Sequence, residues 1–283
     1  DIDDKKIYFS DHHLSHASSA YFASPFQDSA IVTFDGVGEW ATTTVGSATN
    51  NLINIEKEIR FPHSIGLLYS AFTAFLGFEV NEGEYKVMGM APFGNPIFAD
   101  KVREVVHQFN DGSVWLDNKY FSFHNSTDKS YTKKFEKLFG NPREPELPFY
   151  TENTGYPSYF GDHPTDMKQR IISNQYYADI AASIQLVTEE LVINLLKQVQ
   201  KESNSKNLCL AGGVALNSVI NGKILEQTGF NDVFIQPAAG DSGGALGAAL
   251  YLYNSESTAR RFIMNHAYWG EEYLDETIKS TLD

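Results

Sequence analysis

The run DSAIVTFD, Asp28 to Asp35, is apolar or β-branched at nearly every position and reads as a strand buried on both faces. A strand of that kind belongs inside a sheet that carries helices on each side. The next two stretches are also strand-like. A tight turn, GVGE, leads into Trp40 to Ala48, rich in Thr and Val. Asn50 and Asn51 make a second turn, and Leu52 to Phe61 then sets Leu52, Asn54 and Glu56 against Ile53, Ile55 and Lys57. The expected unit is a three-stranded antiparallel meander.

Beyond the meander the pattern changes period. Ile65 to Leu76 places Leu68, Phe72 and Phe75 on one helical face, and Gln175 to Lys201 does the same with Ile180, Ile184, Val187, Leu191 and Leu195. Strand Leu208 to Ala211, helix Ala215 to Gln227, strand Val233 to Gln236 and helix Asp241 to Tyr253 complete the series. Between Phe78 and Arg170 long periodic runs are missing. A segment of that length is expected to fold over the core as a cap rather than remain structureless.

The order βββα, insertion, αβαβα predicts an α/β fold: a ribonuclease-H-like lobe of the actin, Hsp70 and sugar-kinase type, with a mixed five-stranded sheet. Before it, a short strand Lys6 to Ser10 and a small-residue helix His12 to Ala23 read as the last strand and helix of a preceding lobe. The expected organisation is therefore residues 1–26 as the end of a first lobe, 27–78 and 171–255 as the second lobe, 79–170 as an insertion, and 256–283 as a linker.

Composition narrows the function classes. A formal net charge of −14 argues against a nucleic-acid groove, which needs a basic face. The lone Cys209 lies in the apolar run NLCLAGG and is expected in a core strand, without a catalytic role. No basic start followed by an apolar run opens the chain. Its longest uncharged apolar stretch, Ser64 to Phe78, falls short of the roughly 20 residues a membrane span needs. A cytoplasmic protein is the expectation.

The chemistry-bearing residues gather in four places. In SDHHLSHASSAY, His12 and His16 are one helical turn apart and suit a shared metal, whereas His13 points about 100° away and is expected at the helix end or in solvent. In FDGVGEW, Asp35 ends the buried strand, and Gly36 and Gly38 let the backbone turn with its N–H groups outward. An Asp-Gly hairpin turn accounts for the same letters. In LAGGVALNS, Gly212 and Gly213 allow a ligand close to a helix start. In PAAGDSGGALGAAL, Asp241 begins the last helix, as a cap or a metal ligand. The lobe topology draws Asp35, Gly212, Gly213 and Asp241 toward one sheet edge. Two imidazoles and two carboxylates suit Fe2+, Zn2+ or Mn2+, with Fe2+ the expected ion. A fifth stretch, GEYKVMGMAPFGNP, offers Glu84 and Lys86 as a candidate catalytic pair, Lys86 as a point charge on a phosphate or carbonyl oxygen.

Six motifs in the same order (HHLSHASSAYFASPF, TFDGVGEW, SIGLLYSAFTAFLGF, EYKVMGMAPFG, LAGGVALNS and GDSGGALGAAL) resemble the O-carbamoyltransferases of the NodU/CmcH type, from about Tyr8 to Asp283. The resemblance implies a domain similar to the tRNA threonylcarbamoyltransferases, followed by a YrdC-like domain that makes carbamoyl-adenylate from carbamoyl phosphate and ATP. That second domain is not in this sequence, and HAYWGEEYLDETIKSTLD resembles the segment leading to it. By the same resemblance His12, His16, Asp35 and Asp241 fall on metal-ligand positions. The GGVALN segment, with Gly212, Gly213 and Asn217, falls where the nucleoside is held, and Gly36 and Gly38 stand where this architecture contacts phosphates. The acceptor would be a small-molecule hydroxyl, with neither nucleic acid nor membrane as partner and a homodimer compatible with the pattern. Two other readings are a tRNA threonylcarbamoyltransferase relative, which the acidic balance disfavours and strong tRNA binding would restore, and an inert nucleotide-binding module, marked by nucleotide binding without turnover.

Overall fold

A computed structural model describes residues 7–126, 128–256 and 262–283. Its centre is a five-stranded mixed sheet of β1 (Asp28–Gly38), β2 (Ala41–Thr49), β3 (Leu52–Arg60), β6 (Asn207–Ala211) and β7 (Asp232–Ile235). The strands lie in the order β3-β2-β1-β6-β7; the first three pair antiparallel, and β1, β6 and β7 pair parallel. A two-stranded ribbon, β4 (Val106–Gln108) with β5 (Val114–Leu116), stands apart.

Alternation along β1 explains why it is apolar throughout. Ala30, Val32 and Phe34 enter one core with Leu208 and Leu210 of β6, while Ile31 enters a second core with Cys209 and Ala211. The first core is covered by α2 (Ile65–Phe75) and by α6 (Met167–Glu202), whose Ile180, Ile184, Val187, Leu191 and Leu195 are all buried. The second is covered by α1 (His12–Tyr21) and α9 (Ser242–Glu256).

The segment 79–170 contains α3 (Glu84–Met90), α4 (Ala99–Arg103), the ribbon, and α5 (Lys133–Phe139). Its Phe121, Phe135 and Phe139 join the first core, with the Phe135 and Phe139 rings 4.9 and 5.0 Å from Phe72 of α2. Edge-on aromatic contacts of this kind bind the segment to the sheet unit.

Four local expectations are corrected. Lys6 lies outside the described residues, and Ile7 to Ser10 form no strand: Ile7, Tyr8 and Phe9 are exposed, with no described strand paired to them. The GVGE turn begins later than expected, because β1 runs on through Gly38, which pairs with Ala41; the reversal falls at Glu39 (φ 59°) and Trp40. The long helix starts at Met167, two turns early, over a polar exposed stretch that carries no apolar stripe. The single helix expected over Ala215–Gln227 is broken. A 3-10 turn over Gly213–Leu216 precedes α7 (Ser218–Asn221) and α8 (Ile224–Thr228). Asn217 causes the first break by accepting the Ile220 N–H at 3.2 Å as a helix cap.

The C-terminal stretch carries α10 (Asp275–Leu282), exposed along its length. Among the described residues no helix is long and apolar enough to cross a membrane.

Candidate functional site

Three separate stretches meet at the C-terminal edge of β1 and β6. Helix α1 contributes His12 and His16, β1 contributes Asp35, and the turn before α9 contributes Asp241. Close backbone approaches bring them together. Gly247 of α9 faces α1 so tightly that a Cβ there would stand 1.8 Å from the Ser15 carbonyl. At the sheet edge Gly212, at φ +94°, lies against Phe34, and its N–H donates to Ala239 O at 2.7 Å. Gln236 Nε2 ties the end of β7 to Ser19 O of α1 at 2.5 Å.

The result is four donors whose ligand atoms lie within 4.8 Å of one another. His12 Nε2 stands 2.9 Å from Asp35 Oδ2, 3.0 Å from His16 Nε2 and 3.6 Å from Asp241 Oδ1. His16 Nε2 stands 3.7 Å from Asp35 Oδ2 and 3.5 Å from Asp241 Oδ1. Around an ion with metal–ligand bonds of about 2.0–2.2 Å, neighbouring donors lie roughly 3.0–3.5 Å apart. The observed separations straddle that range, and the two imidazole nitrogens facing each other share at most one proton between them. The donor set thus fits a borderline divalent cation.

Electrostatics fits the same picture. Burial alone would raise the Asp35 carboxyl, but the hydrogen bond with His12, the nearby His16 imidazole and the Gly36 N–H pull it far below the usual carboxylate range. Its Oδ1 also accepts the Gly213 N–H at 3.3 Å. His12 is raised, first by its bond to Asp35, against the opposing effect of burial. His16 is fully buried and its Nδ1 has no hydrogen-bond partner among the described residues. Asp241 remains largely open to solvent, with 78% of its side chain exposed, so the cluster is closed on the Asp35 side and open on the Asp241 side.

His13 does not join the cluster, as its spacing predicts, but it is not at the surface either. It is buried, with Nε2 donating to Ala41 O at 2.9 Å and Nδ1 2.6 Å from the Thr33 hydroxyl, itself 2.6 Å from Thr44 Oγ1. Burial lowers its pKa and keeps it neutral. A carbonyl cannot donate, so Nε2 carries the proton, Nδ1 accepts from Thr33, and Thr33 accepts from Thr44.

The glycines of FDGVGEW have different tasks. A Cβ on Gly36 would meet only Leu67 Cδ2 at 3.8 Å, whereas one on Gly38 would fall 2.0 Å from the His12 ring. Gly38 therefore backs the imidazole as well as continuing the strand. Gly213 contributes its N–H to Asp35. Asn217 lies further along, its amide paired with that of buried Gln185 (Asn217 Nδ2 to Gln185 Oε1 3.0 Å, the reverse pair 3.2 Å). Gln185 in turn meets Tyr69 and Glu189, and Glu189 meets Lys223.

Glu84 and Lys86 stand on α3. Glu84 accepts from Ser70 Oγ at 2.8 Å and from the Asn81 N–H at 3.1 Å, which anchors the start of α3 to α2. Lys86 is exposed, its ammonium 5.9 Å from the centres of the Phe78 and Tyr85 rings. Met88 of the same helix reaches Ser218, so α3 borders the GGVALN segment.

Sequence reasoning missed Ser64. It is buried, caps α2 by accepting the Leu67 N–H at 3.0 Å, and turns its hydroxyl toward the carbonyls of Gly36 (2.7 Å) and Asp35 (3.1 Å). A Ser immediately before the apolar run IGLLYSAF is the signal that could have found it. Beside the cluster, an open groove of about 590 Å³ is lined by Asp11, Glu39, Trp40, Arg60, Phe61 and Gly38.

The chain belongs to the family described as "Carbamoyltransferase N-terminus", which matches residues 1–250. It is 44% identical over 284 residues to an uncharacterized protein of Synechocystis sp., covering 98% of this chain and 42% of that protein. It is 34% identical to nodulation protein NolNO of Sinorhizobium fredii, covering 96% of this chain and 35% of that one. Nodulation protein NolO of Bradyrhizobium diazoefficiens is likewise 34% identical, covering 94% and 42%. The chain thus spans less than half the length of these relatives.

Proposed function

We propose that this chain is the acceptor-side domain of an ATP-dependent O-carbamoyltransferase that moves a carbamoyl group from carbamoyl-adenylate to a hydroxyl of a small-molecule acceptor in the cytoplasm. The carrying observation is the convergence of His12, His16, Asp35 and Asp241 in a chain of the carbamoyltransferase family. The strand order β3-β2-β1-β6-β7, with its antiparallel and parallel halves, supports reading the unit as a ribonuclease-H-like lobe, whose strand edge faces a nucleotide cleft.

The four residues would hold a divalent ion, Fe2+ in preference to Zn2+ or Mn2+. When bound it supplies positive charge to phosphate oxygens. The protein's own groups do the rest. Asp35 stays ionised in the partly buried site and offsets cationic charge there. Gly212 lets the Gly213 backbone pass close beside Phe34 and Asp35, and Gly36 leaves its side of the turn free of a side chain, where a nucleotide would lie, while Gly38 makes room for the His12 ring. Asn217, whose amide is paired with Gln185 and caps α7, would hold the GGVALN backbone in place beside a nucleotide. Lys86 supplies a mobile cation for a phosphate or carbonyl oxygen, and Glu84 fixes the helix that bears it. The groove beside Gly38 leads an acceptor hydroxyl toward the carbamoyl carbon, from which AMP departs. Carbamoyl phosphate and ATP would enter through a YrdC-like domain.

The test is His16→Ala in the full-length gene product. Loss of bound metal by elemental analysis, together with loss of carbamoyl transfer from carbamoyl phosphate and ATP, is expected. Wild-type metal content in the variant refutes the ligand set.

A further inference from the structure

We infer that His13 is the positioning residue of the candidate metal centre: it fixes the rotation of α1 so that His12 and His16 face Asp35. This rests on the metal-centre reading above. The middle of α1 meets the sheet and α9 through small side chains, Ser15, Ala17, Ser18, Ser19 and Ala20, all buried. The large anchor Tyr21, fully buried with its hydroxyl bonded to Gln27 O at 2.7 Å, sits at the C-terminal end, away from His12. Small side chains give close packing but few knobs that lock a helix about its own axis. A rotation of roughly 20° would carry an imidazole nitrogen about 2 Å sideways at its distance from the helix axis. A metal site tolerates about 0.2 Å.

His13 supplies a lock at the N-terminal end of the helix, beside His12. It leaves the helix about 100° away from His12, and both of its ring nitrogens are engaged, on two different strands. Nε2 bonds Ala41 O at the start of β2, and Nδ1 bonds the Thr33 hydroxyl inside β1. Thr33 is in turn held by Thr44 of β2 at 2.6 Å, so the ring is gripped by a three-residue chain with every hydrogen assigned. Its ring centre is 5.4 Å from that of His12 and 6.1 Å from that of His16, close enough to transmit its placement and outside the donor cluster. Thr33 lies two residues before Asp35 on the same strand, so one tether sets helix and carboxylate in register.

Co2+ alone, titrated into the wild-type chain and its variants after EDTA treatment, is the probe, with calorimetric affinity and the visible ligand-field spectrum as readouts. His13→Ala should weaken binding about tenfold or more, in the range seen when groups orienting a metal ligand are removed, and should alter the spectrum. His13→Asn, whose Oδ1 can take the place of Nδ1 toward Thr33, should recover part of the loss. Thr33→Val added to His13→Ala should cost little more, because the two belong to one tether. A folded His13→Ala protein with wild-type affinity and spectrum overturns the inference. If His13→Ala does not fold, His13→Asn and Thr33→Val decide on the same two readouts: wild-type affinity and spectrum in both overturn it. A wild-type chain that binds no Co2+ overturns the metal-centre reading and this inference with it.

Discussion

Gly36 and Gly38 look equivalent in the sequence, as alternate glycines of one turn, yet they should respond in opposite ways to the smallest possible side chain. An alanine Cβ at position 38 would lie 2.0 Å from His12 Cδ2, 2.5 Å from Cγ and 2.7 Å from Nε2. Ordinary contact begins at 3.4 Å, so the ring must retreat by about 1.4 Å (3.4 − 2.0). Its Nε2 would then leave the 2.9 Å bond to Asp35 and the 3.0 Å approach to His16. Because 28% of the His12 side chain is exposed, the ring can escape toward solvent. The stability loss should therefore be about 1–2 kcal/mol, nearer the value of one lost hydrogen bond than that of a fully overpacked core. Metal affinity should suffer far more, by at least about 100-fold, since one of four donors is displaced outright.

Gly36→Ala is the matched control, its Cβ meeting only Leu67 Cδ2 at 3.8 Å. Neither position has a left-handed backbone, so conformational strain does not confuse the comparison. The assay is Co2+ or Zn2+ titration by calorimetry, with urea unfolding in EDTA for stability. Gly36→Ala should bind within about threefold of wild type. If Gly38→Ala binds as tightly as Gly36→Ala, His12 is not held where its ligand role requires, and the reasoning fails.

Two further expectations concern the helix that carries the histidines. Gly247→Ala places a Cβ 1.8 Å from Ser15 O, so α1 and α9 must separate; thermal unfolding should show a loss of about 1–3 kcal/mol, and metal affinity should fall as Asp241 withdraws from the imidazoles, whereas Gly244→Ala, with open space around its Cβ, should change neither. The stability difference between wild type and His13→Asn should depend on pH. Burial lowers the His13 pKa below its ordinary 6.5, so above pH 6.5 neither state gains a proton there, and between 6.5 and the lowered folded value the unfolded chain alone does. Over that window wild-type stability falls, as the pH drops, by up to about 1.4 kcal/mol per unit relative to His13→Asn, and a difference that stays constant in urea unfolding at pH 7.5, 6.5 and 5.5 would contradict this.

Periodicity decides which parts of the fold are legible in the sequence. Strands β1 and β6 announce themselves because they are unbroken short apolar runs, and helix α2 and the stripe on α6 because burial repeats with the helical period. The pairing of His12 with His16 is legible for the same reason. The hidden parts are polar and tertiary. The first two turns of α6 are exposed and have no stripe to read. Asn217 breaks a helix that apolar spacing alone would continue, since its side chain competes for the backbone. A lone polar residue such as His13 reads as a surface one, and only the Thr33 and Thr44 hydroxyls of two neighbouring strands reveal why it is buried.

The site is specified less by its donors than by the absence of side chains around them. Two His and two Asp could be written at many positions; bringing them together needs backbones nearer than a Cβ permits. Besides Gly38 and Gly247, Gly66 lets the start of α2 pass the Asp35 carbonyl, where a Cβ would stand 2.6 Å away, and Gly212 lets the end of β6 lie against Phe34, where it would stand 2.0 Å away. All four lie next to a donor residue or to the strand or helix bearing one. A glycine-rich motif in this fold therefore carries two meanings at once. Only the environment of each glycine separates the packing positions, which set where the donors stand, from Gly36, whose Cβ would meet only Leu67 at 3.8 Å.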